Sequence, residues 1–72
     1  MEDKKAICAA LLKALKLTRC GEDLESLEYK KNEYMETVIV TYKKPYNNEM
    51  NIDVTADSGV SMIRDIMWSI DR

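Results

Sequence analysis

The chain of 72 residues, net charge −2 and no histidine reads as a single small domain, residues 1–72, and excludes a Ser-His-Asp triad, a Cys-His dyad and a histidine metal site. Two cysteines are too few for a disulfide framework or a cysteine-rich zinc site. Eleven basic against 13 acidic residues lack the basic excess expected of a protein whose main partner is a polyanion.

The first predicted element is a helix from about Asp3 to Leu17, with Asp3 as its N-cap. Ile7, Leu11 and Leu15 form one stripe at helical spacing, widened by Cys8 and Leu12, while Lys5, Lys13 and Lys16 lie opposite. Gly21, in Thr18-Arg19-Cys20-Gly21, is placed to take the left-handed conformation that stops a helix.

Three β segments follow. Leu24 to Lys31, with Leu27 and Tyr29 among charged residues, has the pattern of an edge strand, and Asn32-Glu33 makes the turn after it. Glu36 to Lys43 places Val38, Val40 and Tyr42 on one face and Thr37, Ile39 and Thr41 on the other. Its β-branched density puts it at the sheet centre. Pro45-Tyr46-Asn47-Asn48 turns the chain, and Met50, Ile52 and Val54 then alternate with Asn51, Asp53 and Thr55. Connections this short fit antiparallel hairpins.

The last predicted element is a helix capped by Asp57 or Ser58 and running nearly to the C-terminus. Val60, Ile63, Ile66, Met67 and Ile70 form its apolar stripe, with Met62 at the edge. The expected fold is α+β, in the order α-β-β-β-α: a three-stranded antiparallel sheet with both helices packed on one face. That packing uses nearly every apolar residue and leaves Trp68 over.

Trp68 falls almost opposite Ile66 and Ile70, among Ser61, Arg64, Asp65 and Arg72. One reading makes these five residues a partner-binding face, since tryptophan and arginine are enriched at interaction hot spots. The other packs Trp68 over a sheet edge, the first helix or the nearby terminus, with an arginine stacked on its ring.

Lys30, Lys31, Lys43 and Lys44, with Tyr46, are the candidates for nucleic-acid contact. Antiparallel strands put the two lysine pairs at opposite ends of the sheet, where lysine serves equally to protect strand edges. Cys8 belongs to the buried stripe and acts as a small hydrophobe. Cys20 is too far along the chain to bridge to it and sits just past a helix C-terminus, where the dipole disfavours a thiolate, so neither is placed for a nucleophilic role. Glu22, Asp23 and Glu25 cluster in one loop, but without a calcium-loop pattern. Asp57 reads as a cap and Asp53 as a solvent-facing strand residue.

No cofactor or metal site is expected, and no catalysis: the chain has two glycines, hence no phosphate loop, and a domain this small has little room for a pocket. Met1-Glu2-Asp3-Lys4-Lys5 is not the start of a signal peptide, and no run approaches the ~20 apolar residues of a membrane span. The expected location is the cytoplasm, with both thiols reduced.

Two resemblances add to this reading. The order α-β-β-β-α resembles the double-stranded-RNA-binding domain in topology. In that family a Gly-Pro-x-His turn and a lysine-rich helix start bind phosphates. Here the turn is Lys44-Pro45-Tyr46-Asn47, and the helix begins Ala56-Asp57-Ser58-Gly59-Val60-Ser61, so no site residue carries over.

The segments Thr37-Val38-Ile39-Val40-Thr41-Tyr42, Asn51-Ile52-Asp53-Val54 and Asp57-Ser58-Gly59-Val60-Ser61-Met62-Ile63-Arg64-Asp65 resemble small proteins of phages and mobile elements of gut Firmicutes. That resemblance implies an accessory protein acting by binding, such as an inhibitor of a host defence system of the anti-CRISPR kind. The expected function is therefore a non-catalytic protein-binding module, with self-association into a homodimer as one form of it. A nucleic-acid-binding module is the alternative.

Overall fold

The computed structural model describes residues 3–44 and 48–71; Met1, Glu2, Pro45, Tyr46, Asn47 and Arg72 lie outside them. The element order is α1 (Lys4–Leu15), β1 (Leu24–Lys31), β2 (Glu36–Tyr42), β3 (Glu49–Asp53) and α2 (Gly59–Asp71). The three strands form one antiparallel sheet in the order β1-β2-β3. The strand with the most β-branched residues is thus central, and Leu24–Lys31 is an edge.

Asp3 caps α1, its carboxylate accepting from the Ala6 N–H at 3.0 Å. The helix ends at Leu15, two residues short of the expected Leu17. There the Leu17 N–H donates to the Ala14 carbonyl at 3.1 Å and the Thr18 N–H to the Leu15 carbonyl at 2.9 Å, shorter loops that tighten a last turn. Thr18 Oγ1 also donates to the Leu15 carbonyl at 2.7 Å and accepts from the Gly21 N–H at 3.0 Å.

Gly21 does not stop the helix in a left-handed conformation, since neither glycine has a positive φ. It is buried, and a Cβ there would overlap the Leu15 carbonyl. The glycine is needed for a close approach of two backbone segments rather than for a turn.

The β1–β2 hairpin closes over Asn32, whose Oδ1 accepts from the N–H groups of Tyr34 and Met35 at 2.9 and 2.8 Å. This is the side-chain turn that makes asparagine common in loops. The register sets Leu27 opposite Val40 and Tyr29 opposite Val38. On the other side Val38 faces Ile52 and Val40 faces Met50. An irregularity between Leu24 and Ser26 shifts the alternation by one. A fully buried Leu24 therefore joins the face that holds Leu27.

Cys8 of α1 and Met62 and Ile66 of α2 complete one buried cluster with Leu24, Leu27, Val38, Val40, Ile52 and Val54. Ile7, Leu11, Leu12, Leu15 and Ile70 pack around it, so the stripe read on the first helix is the one it buries.

The stripe read on α2 is buried only in part: Ile66 is fully buried and Ile70 packs against the core. Met62, placed at the stripe's edge, is fully buried, while Val60 is 79% and Met67 49% exposed. Apolar residues cover more than half the circumference of this helix, and a sheet of three short strands can cover only one sector. The core takes the sector centred on Met62 and Ile66. The chain exposes 5304 Å² in all, above the ~4,600 Å² that size scaling gives for a compact monomer.

Candidate binding face on the second helix

Ser58 caps α2, not Asp57. Its Oγ accepts from the Ser61 N–H at 3.1 Å, and its carbonyl accepts from the Met62 N–H at 2.9 Å, the first bond of the helix. Entry to the cap is strained. Ala56 has φ 67, in the left-handed region that residues with a Cβ disfavour.

Turned as described, α2 presents Val60, Arg64, Met67, Trp68 and Asp71 to the outside. Trp68 is 66% exposed. With Leu15, Thr18 and Cys20 from the end of α1 and the turn after it, these residues line an open groove of about 650 Å³. Its apolar floor carries a cation, Arg64, and an anion, Asp71. Arg64 Nε lies 3.6 Å from Asp65 Oδ1, and Cys20 Sγ lies 3.7 Å from Asp71 Oδ1.

Of the five residues proposed from sequence, Arg64 and Trp68 share this groove. Ser61 does not line it, and its hydroxyl is 3.1 Å from that of Ser58. Asp65 turns instead toward Asp57, and Arg72 is outside the described residues. Val60, Ile63 and Met67 are the members that sequence reasoning missed, because it assigned them to the core. The spacing 60, 64, 67, 71 places Val60 and Met67 on one stripe of the helix with Arg64 and Asp71.

Asp57, just before α2, and Asp65, in the middle of that helix, form a carboxyl pair. One Asp57 oxygen, Oδ2, is buried without a hydrogen-bond donor. The neighbouring Asp65 carboxyl, then burial, then the Asp65 charge push the Asp57 carboxyl above its ordinary value, against the opposing charges of Arg64 and Lys4.

The four lysines do not converge. Lys31 pairs with Glu36 at one end of the sheet, whereas the Lys43 N–H donates to the Asp23 carbonyl at 2.8 Å at the other. Lys30 and Lys31 border a shallow cavity of about 540 Å³ on the sheet's outer face, with Thr37, Ile39, Asn51 and Asp53 as its floor. Lys30 Nζ is 3.7 Å from Glu28 Oε1. The Thr55 hydroxyl and N–H beside Asp53 hold its carboxyl below the ordinary range.

Both cysteines are free, Cys8 buried and Cys20 exposed; burial pushes the Cys8 thiol up. Among the described residues no group of three or more histidine, cysteine or acidic side chains is placed to hold a metal ion. No helix among them is long and apolar enough to cross a membrane. No family model matches the chain, and no curated protein or solved structure matches it either.

Proposed function

We propose that the protein is a small non-catalytic binding module that acts by protein–protein contact through the outer face of α2. The observation that carries this reading is Met67 and Trp68 lying exposed side by side, with Arg64 and Asp71 in the same groove. An apolar centre with polar ends is the composition of an interface, and tryptophan beside arginine is its usual anchor.

The resemblance to phage and mobile-element proteins extends the reading to an accessory protein of the cytoplasm that inhibits a host protein, such as a defence factor, by direct contact. The nucleic-acid alternative is less well supported, because the two lysine pairs sit at opposite ends of the sheet.

The test is capture of a host protein by the tagged chain and by Trp68→Ala, with circular dichroism on both. The variant is expected to keep its fold and lose the captured protein. A folded Trp68→Ala that captures it equally well removes α2 as the contact surface. For the alternative, binding to duplex RNA or DNA at low salt that weakens steeply as salt rises is the decisive result.

A further inference from the structure

We propose that a second copy of this chain covers the α2 face, the two α2 helices lying antiparallel with their two-fold axis between Met67 and Trp68. This inference rests on the reading of α2 as a contact surface and names what occupies it.

Val60, Arg64, Met67 and Asp71 are spaced 4-3-4 along α2 and so fall on one narrow stripe, the geometry by which helices meet along a seam. Trp68 flanks the stripe. A two-fold interface must be complementary to itself, and this stripe is so in one register. With the axis between Met67 and Trp68, each Met67 meets the partner's Trp68, and each Arg64 meets the partner's Asp71. Both of these contacts occur twice, and the apolar pairs lie between two opposite-charge pairs; Val60 lies beyond them, past the end of the partner's α2.

A parallel pairing in register sets Arg64 against Arg64 and Asp71 against Asp71, which like charges oppose. The groups these side chains now touch are weak competitors. Arg64 Nε stands 3.6 Å from its neighbour Asp65 on a side chain that is 73% exposed, and Asp71 is approached by a thiol at 3.7 Å.

Size sets the strength. The 13-residue helix is about 20 Å long, and one helix against another buries less than the ~800 Å² per partner of a standard interface. The dimer is therefore at the weak end of specific contacts.

The experiment is sedimentation velocity on the full chain from micromolar to several hundred micromolar. The wild type is expected to pass from monomer to dimer. Arg64→Glu makes both charges of the face acidic, and Asp71→Arg makes both basic. Each variant alone is expected to dimerise about tenfold or more weakly, and an equimolar mixture of the two to recover the dimer. Asp71→Arg changes an exposed last residue of the helix, so it serves if Arg64→Glu does not fold. Paired with the wild type, it must still show the loss.

A wild type that stays monomeric throughout overturns the proposal, as does a folded Asp71→Arg that dimerises like the wild type, or a mixture of two folded variants no tighter than either alone. Self-association and capture of a different protein are read separately. A monomeric wild type that still loses a captured host protein on Trp68→Ala removes only the second copy and leaves the contact surface standing.

Discussion

Lys4, in the first turn of α1, reaches Glu36 at the start of β2 with its ammonium 2.9 and 3.0 Å from the two carboxylate oxygens. Both side chains are only 14% exposed. The Tyr29 hydroxyl donates to the same carboxylate at 2.8 Å, and Lys4 Nζ sits 6.0 Å from the centre of that tyrosine ring. One glutamate thus ties the first helix to two strands, at a place where water is largely excluded and an ion pair is worth more than at an open surface.

The pH dependence of this knot has a definite sign. The hydrogen bonds from Lys4 and Tyr29 hold the Glu36 carboxyl below its ordinary value. Its contribution is therefore full above the glutamate range and lost as pH falls through the lowered value. Glu36→Gln is expected to melt at a lower temperature than the wild type at pH 7, and the gap is expected to close as pH falls below the ordinary glutamate range. Burial and Glu36 push the Tyr29 hydroxyl up to about 12, so it remains a donor at every ordinary pH. Tyr29→Phe is expected to cost about 1 kcal/mol by denaturant titration.

Asp57 works in the opposite direction. Its carboxyl is raised, so the pair with Asp65 contributes most below the ordinary aspartate range, and that contribution is lost as pH rises through the raised value. Asp57→Asn keeps a donor toward Asp65 and removes the charge. It is expected to raise the melting temperature at pH 7 and to leave it unchanged at pH 3, where the wild-type carboxyl already holds a proton. An equal effect at both pH values contradicts the raised Asp57 carboxyl.

Burial on α2 gives a pair of substitutions with very different costs. Met62→Ala empties a fully buried site and is expected to cost about 2–5 kcal/mol. Val60→Ala changes a residue that is 79% exposed and is expected to cost less than about 0.5 kcal/mol. If the apolar stripe read from spacing alone were the buried one, the order would be reversed. Urea titration of the two variants decides between the orientations.

Ala56, at φ 67, is strained for a residue with a Cβ. Ala56→Gly is expected to stabilise the domain by about 1 kcal/mol, a rise of ~4–8 °C for a domain this size. Ala56→Val is expected to lower stability by at least as much, because a branched side chain tolerates that region least.

The elements were legible because each of them follows one period. Val38, Val40, Ile52 and Val54 alternate cleanly, Asp3 precedes a helical stripe, and Asn32 stands where a turn is needed. Three details were not legible, each for a physical reason. Leu24 is out of phase with Leu27 until the irregularity at the start of β1 restores it, and nothing local announces that shift. Gly21 reads as a helix stop by type, whereas its role depends on how closely the Leu15 carbonyl comes to it in space. On α2 the apolar residues span so wide an arc that periodicity allows more than one facing, and only the width of the sheet selects Met62 and Ile66. Trp68 was legible as left over by the core; Val60 and Met67 became its neighbours on the exposed face only once that facing was set.

The central claim is that α2 carries an exposed apolar face, and the chain's single tryptophan reports on it directly. Fluorescence of the dilute wild type, with acrylamide as quencher, measures the exposure of Trp68 without any substitution. The account predicts red-shifted emission, close to that of tryptophan in water, quenched readily in dilute protein and shielded as concentration or a bound partner covers the face. Blue-shifted emission protected from quencher in dilute, monomeric protein would contradict it, because Trp68 would then be packed inside the domain.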